Sequence, residues 1–363
     1  MSLPAIDVAD RTRRVHERLG ELDALLVTRL PNIRYLTGFT GSAATLLVAR
    51  DGARFVSDGR YEEQAREQLG AAGCDAQVEI SSTGARQILT AAIDERGIRR
   101  LGFEAAGVTW SQHRTFAEWF PDVELVPTDG LVEELRRVKE PGEVARVRAA
   151  CAIGDDAFEH VVPMLATAPT ERAVALALEV AMRERGAEGT SFDPIVASGP
   201  NSAKPHARPS DRQVRRGELV VLDFGCVVDG YCSDMTRTVS VGDPGPEAVE
   251  TYNLVLESQR AGREAVAPDV SCVAVDGASR HVIDDAGFGD LFTHGTGHGV
   301  GLEIHEAPRV AATSGDTLTI GDVVTVEPGV YRPGVGGVRI EDTVVVTPGG
   351  ADVLTSSPKE LVL

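Results

Sequence analysis

The chain of 363 residues carries a formal net charge of −19 with 42% hydrophobic residues, a length and balance that suit a globular protein of two domains. Its negative field repels the phosphates of nucleic acids and anionic membranes, and no apolar run approaches the ~20 residues that span a bilayer. Without a basic n-region and apolar h-region at the start, and with five cysteines lacking CxxC spacing, the chain is expected in the reducing cytoplasm, with free thiols and neither a nucleic-acid nor a membrane partner.

From the amino terminus, short β runs at Ala24–Val27, Ala44–Val48 and Arg100–Phe103 alternate with helical stretches around 61–71, 84–96 and 109–119, which predicts an α/β domain. A helix at 128–137 leads into a break near 138–141, dividing the chain into residues 1–138 and 139–363. Pro141 suits the first turn of a new helix, and Glu143 complements its N-terminal dipole. That helix is expected to run to about 167 and to be followed by another at 170–186. Strands around 193–198 and 219–241, helices at about 247–266 and 271–286, and a strand-rich end come next. Helices around an antiparallel sheet predict an α+β class for this half.

Within 219–241, the run Leu219–Phe224 is apolar except for Asp223 and reads as a buried strand, where an unpaired carboxylate costs roughly several kcal/mol. No Lys or Arg lies beside it on the strand. Asp229-Gly230 is a hairpin signal, and Tyr231–Val239 reads as the returning strand. Pairing Val228 with Tyr231 sets Gly225 opposite Asp234. Side chains alternate with a period of two, so Asp223 and Asp234 share a face at diagonal positions. Like charges placed in this way repel unless a cation sits between them. A lone Asp before Phe-Gly is an ordinary turn residue; two on one strand face point to a metal site. Cys226 and Cys232 flank the hairpin and read as small packing residues rather than ligands.

The run Thr293–Glu306 holds His294, His298 and His305, three of the eight histidines, among glycines that admit close backbone approach. It lacks a Gly-Lys-Ser/Thr ending and a complete GxGxxG, which argues against a phosphate cradle. Glu327 closes the apolar strand Val323–Val326 ahead of Pro328-Gly329. Glu341 falls inside Val338–Val346, expected as one strand, on which Arg339 shares its face and is placed to orient its carboxylate. Four carboxylates and one imidazole on neighbouring strands suggest an oxygen-rich site for two divalent ions. Such hard ligands favour Mn²⁺, with Co²⁺ and Zn²⁺ as alternatives.

This pattern resembles the pita-bread metallopeptidase family, which includes methionine aminopeptidase, aminopeptidase P and prolidase. The match runs through Asp223 of Leu-Asp-Phe-Gly, Asp234 of Ser-Asp-Met-Thr-Arg-Thr, His298 of His-Gly-Thr-Gly-His, Glu327 of Glu-Pro-Gly and Glu341 of Arg-Ile-Glu-Asp. Upstream, Asn32–Gly41 and Ser57–Tyr61 resemble the amino-terminal domain of the Xaa-Pro branch, which methionine aminopeptidases lack. The resemblance implies a creatinase-like α/β domain at 1–138 and an α+β pita-bread (creatinase/aminopeptidase-like) catalytic domain at 139–363. It further implies that Asp234 and Glu341 bridge two ions, that Asp223 holds one of them and His298 with Glu327 the other, and that Glu327 shuttles a proton. His206 would lie near the scissile carbonyl, His305 would bind substrate or donate to the oxyanion, and His294 would line the same cleft. Arg309 matches the position where prolidases set an arginine against the free carboxylate of a dipeptide, and Ile304 and Tyr331 would offer apolar surface to a proline ring. The substrate implied is a proline-containing di- or oligopeptide. Xaa-Pro dipeptidase is the favoured activity, and Xaa-Pro aminopeptidase (aminopeptidase P) the alternative. A homodimer is expected, in which Tyr35–Gly41 and Asp58-Gly59-Arg60 approach the partner's cleft. The complete ligand set argues against a metal-free binding module on this fold and against a creatinase-like hydrolase.

Overall fold

The structure, a computed structural model, describes residues 3–363. The chain divides into two compact units, Ala5–Arg136 and Arg137–Leu363, the latter joined by Pro4.

The first unit is built on a six-stranded mixed sheet in the order Gln77–Ser81, Gly52–Asp58, Ala44–Ala49, Ala24–Val27, Arg100–Glu104, Glu124–Thr128. Ala24–Val27 pairs antiparallel with Ala44–Ala49 and parallel with Arg100–Glu104. All four of its residues are buried, as an apolar strand with neighbours on both sides should be. Leu26, Leu47, Leu89, Ile93, Leu101 and Phe116 meet in its core. Helices Glu62–Ala71, Arg86–Glu95 and Trp110–Trp119 stand where expected. One expectation for this region needs correction. The helix expected at 128–137 forms only over Glu133–Arg137, because Glu124–Thr128 continues the sheet and Gly130, at φ 72°, turns the chain first. The segment Tyr35–Gly41 is the end and exit of helix Leu30–Thr37. That helix stops at Gly38, left-handed at φ 76°, where a Cβ would come within 2.7 Å of the Ala72 Cβ.

In the second unit Pro141 opens helix Pro141–Val161. The backbone N–H of Glu140 donates to the Glu143 carboxylate at 3.0 Å, half of a reciprocal cap. The helix gives way at Val162–Thr167 to a tighter 3₁₀ turn, short of the expected 167, because Pro163 lacks the N–H that would continue it. Helix Glu171–Glu184 buries Val174, Leu178, Ala181 and Met182, one face at helical spacing. This pair of helices packs on the antiparallel sheet Met235–Ser240, Leu219–Phe224, Ile195–Ser198 through a core that includes Phe158, Leu178, Val220, Leu222 and Phe224. A second pair, Pro246–Ala265 and Cys272–Asp285, covers the five-stranded sheet centred on Val323–Val326 and Asp342–Thr347, with Val275, Val324, Val326 and Val344 between. Helices over antiparallel strands, twice, make this unit α+β. No helix of the described residues is long and apolar enough to cross a membrane.

Candidate metal centre

The hairpin register runs as the sequence suggested: Val228 pairs with Tyr231, and Asp223 faces Thr236 in the continuation. Between the two runs the ladder parts beside Gly225, where a Cβ would come within 1.9 Å of the Ser233 carbonyl oxygen. Only glycine fits so close an approach, and Asp234 occupies the facing break. Glu327 follows Val323–Val326, and its N–H donates to the Thr296 carbonyl at 2.7 Å. The Glu341 N–H donates to the Thr236 carbonyl at 3.1 Å.

These elements bring the charged groups together. Ligand atoms of Asp234, His298 and Glu341 lie within 4.8 Å of one another, and His298 Nε2 is 3.5 Å from both Asp234 Oδ2 and Glu327 Oε1. His298 Nδ1 is 3.0 Å from the Gly299 carbonyl, which can only accept, so the proton sits on Nδ1 and the bare Nε2 faces the carboxylates. Burial lowers the His298 pKa to about 4.

Arg339 departs from expectation. Val338–Val346 is not one strand but two, Gly336–Arg339 and Asp342–Thr347, broken at Ile340-Glu341, so alternation cannot be carried across. Arg339 Nη2 pairs directly with Asp223 Oδ2 at 2.5 Å and reaches Glu341 only through Thr236. Its Nε–H donates to Thr236 Oγ1 at 3.1 Å, and the hydroxyl passes its own hydrogen to Glu341 Oε2 at 2.7 Å. Arg339 Nη1 donates to the Tyr331 hydroxyl at 2.7 Å and the Pro205 carbonyl at 3.2 Å. The Tyr331 hydroxyl in turn donates to His294 Nε2 at 2.9 Å, since His294 Nδ1–H is spent on the Gly295 carbonyl. The Tyr331 hydroxyl thus links Arg339 to His294. Thr236 and Thr325 escaped the sequence reading, although each stands two residues from a site carboxylate. Thr325 Oγ1 accepts the His298 N–H at 3.1 Å and donates to Glu327 at 3.4 Å.

After these bonds, Asp223 Oδ1 and Glu341 Oε1 remain buried without a hydrogen-bond partner among the described residues. Burial, reinforced by the charges of neighbouring carboxylates, pushes Asp234 and Glu341 well above the ordinary carboxylate range. Burial also raises Asp223, and it raises Glu327 to about 8. Orphaned hard oxygens, crowded carboxylates and a neutral imidazole form a donor set that fits divalent cations. The metal-free protein should then show an inverted pH response. Between the ordinary carboxyl value of 4.5 and about 8, folded Glu327 keeps a proton that the unfolded chain has released. Stability must fall as pH rises through that window. Chelator-treated protein is expected to melt progressively lower from about pH 5 to about pH 8, with Mn²⁺ abolishing the decline; a flat profile without metal would count against the crowding.

Every site residue proposed from sequence lines one cleft of about 610 Å³: the ligands, His206, His294, Ile304, His305, Arg309, Tyr331 and Arg339. His206 is exposed on a loop that Arg339 fastens at Pro205. The His305 ring centroid stands 4.3 Å from that of His298. Arg309 pairs with His298 in the strand register and so shares its face. The cleft also takes in Phe192, Pro194 and Arg208, which no sequence pattern had marked.

Residues 145–348 match metallopeptidase family M24, and residues 10–138 match the creatinase/prolidase N-terminal domain. The chain is 34% identical to an Xaa-Pro dipeptidase of Pyrococcus horikoshii over 94% of its own length and 95% of that protein's. Among solved structures, an Xaa-Pro dipeptidase from Bacillus anthracis is 42% identical at a TM-score of 0.94, covering 98% of this chain and 99% of that one. An X-Pro aminopeptidase from Thermotoga maritima is 35% identical at 0.89, covering 98% and 100%.

Proposed function

This chain belongs to metallopeptidase family M24, and from that premise we propose that it hydrolyses the Xaa-Pro bond of dipeptides as an Xaa-Pro dipeptidase. The observation that carries the preference is Arg309. Arg309 lines the cleft opposite His298 in the strand register, and among the described residues no ion pair of its guanidinium is found. A free guanidinium at that place suits the terminal carboxylate of a short peptide.

Asp223, Asp234, His298, Glu327 and Glu341 would hold two divalent ions, Mn²⁺ by preference. Such ions supply Lewis acidity to a carbonyl oxygen and lower the pKa of water. The rest falls to the chain. Arg339 and Thr236 fix one oxygen each of Asp223 and Glu341 and leave the other for a cation. Glu327, whose surroundings favour the protonated form, is suited to take a proton and hand it to the leaving nitrogen. Both exposed and lining the cleft, His305 would bind substrate or donate to the developing oxyanion and His206 would lie near the scissile carbonyl. The reading includes a cytoplasmic homodimer, with domains at 1–138 and 139–363.

A second reading, Xaa-Pro aminopeptidase, is favoured by the similarity to the Thermotoga maritima protein. A length series separates the two. Wild type with Mn²⁺ is expected to cleave Ala-Pro better than Ala-Pro-Ala. Removing a charged bond of about 1.5–3 kcal/mol through Arg309→Ala should raise KM for Ala-Pro tenfold or more, with kcat and the tripeptide much less affected. Better cleavage of longer peptides by wild type, weakened evenly by Arg309→Ala, would make the protein an aminopeptidase.

A further inference from the structure

Strand Glu306–Val310 carries Arg309 and begins one residue after His305, so both depend on whatever holds this strand. Its own ladder holds it poorly. It is the outermost strand of its sheet and among the described residues pairs only with Gly297–Gly299, through a register shift between His298 and Gly299. An edge strand with a broken ladder is weakly located by backbone bonds alone.

Two cations from Arg137–Lys139 hold it instead, Lys139 directly at Glu306 and Arg137 through Asp316. Lys139 Nζ lies 3.0 Å from Glu306 Oε2, with the two side chains only 1% and 7% exposed. Glu306 Oε1 accepts the Glu303 N–H at 3.0 Å, closing the turn that presents Ile304 and His305. Toward the other end Arg137 pairs with Asp316 at 3.3 Å, and Asp316 Oδ2 accepts the Arg309 N–H at 3.2 Å. The cationic segment is itself anchored. Arg137 pairs with fully buried Asp322 at 2.9 Å, and the Lys139 N–H donates to the Gly321 carbonyl at 2.9 Å. Arg137 ends helix Glu133–Arg137 and Val138 bridges to Asp322, so the chain leaves the helix directly beside the acids that Arg137 and Lys139 reach. A buried ion pair adds little stability over an apolar pair of the same size. What the charges add here is a defined position for each end of the strand.

We propose that Lys139 and Arg137 are positioning residues of the hydrolytic site: Lys139 sets His305 through Glu306, and Arg137 sets Arg309 through Asp316. The roles given to His305 and Arg309 rest on the dipeptidase reading; the anchoring itself does not.

The test compares Lys139→Met and Arg137→Gln in the Mn²⁺-loaded full chain, with Glu306→Gln and Asp316→Asn replacing whichever fails to fold. Lys139→Met is expected to lower kcat on Ala-Pro about tenfold with little change in KM, and Arg137→Gln to raise KM about tenfold with little change in kcat. General loosening of the fold would move both constants in the same way in both variants, and that result overturns the proposal. Amide hydrogen exchange supplies a readout independent of activity. Protection at Glu303 should drop in the first variant and at Arg309 in the second, while Leu219–Phe224 keeps its protection. If wild type does not cleave Ala-Pro, the dipeptidase reading fails and exchange decides alone. Unchanged protection at both amides overturns the proposal whatever the substrate.

Discussion

Glu341→Gln is expected to lower Ala-Pro turnover on the order of 10³-fold, about 4 kcal/mol of transition-state stabilisation, while raising the melting temperature of the metal-free protein. The two effects share one cause. Glu341 is 1% exposed, keeps one oxygen without a partner and stands in the field of other buried carboxylates. Without cations its charge is a cost, and an amide of the same shape removes that cost while still accepting from Thr236. With cations the same charge helps to bind them. Mn²⁺ should therefore stabilise wild type strongly and the variant weakly, by the linkage between binding and unfolding. Melting curves with chelator and with Mn²⁺, beside a turnover assay, measure both halves. Wild-type turnover by the variant in chelator would sink the dinuclear reading.

Arg339→Leu should do the opposite to metal-free stability. It leaves Asp223 without its cation and strips partners from Thr236, Tyr331 and the Pro205 carbonyl. Breaking one side of a buried pair costs roughly 3–5 kcal/mol, and each kcal/mol lowers the melting temperature of a unit this size by roughly 2–4 °C. Activity should fall as well, since the Tyr331–His294 link and the His206 loop lose the same anchor. Arg339→Lys keeps the charge but not the planar fork and is expected in between. Near wild-type melting for Arg339→Leu would mean that Asp223 is neutral in the metal-free protein and that the guanidinium is dispensable there. The opposite signs expected at Glu341 and Arg339 distinguish a crowded metal-binding cluster from an ordinary network of salt bridges.

Much of the site was legible because its signals are local. A carboxylate in an apolar strand, an Asp-Gly turn that sets a register and histidines among glycines are each contained within a dozen neighbours. The register from Val228–Tyr231 through Asp223–Thr236 followed from a turn type and a period of two. Boundaries failed where one residue intervened, as Pro163 and Gly130 did. Arg339 failed for a different reason. Its partner lies 116 positions away, and the break at Ile340-Glu341 that redirects it comes from the meeting of two sheets.

By itself the sequence determined which groups had to be compensated: Asp223, Asp234, Glu327 and Glu341 are acids placed in or beside apolar strands, and burial there demands a counter-charge whatever the fold. Only the tertiary structure decided how. It gave Asp223 an arginine from a distant strand, turned Thr236 into a relay to Glu341, and left two carboxylate oxygens bare for cations. It also placed Arg137 and Lys139 against the strand of Arg309, a contact that no periodicity could reveal. Turn type and alternation act between near neighbours along the chain, whereas the pairing of buried charges is settled by whichever strands the packed core brings within a few ångströms.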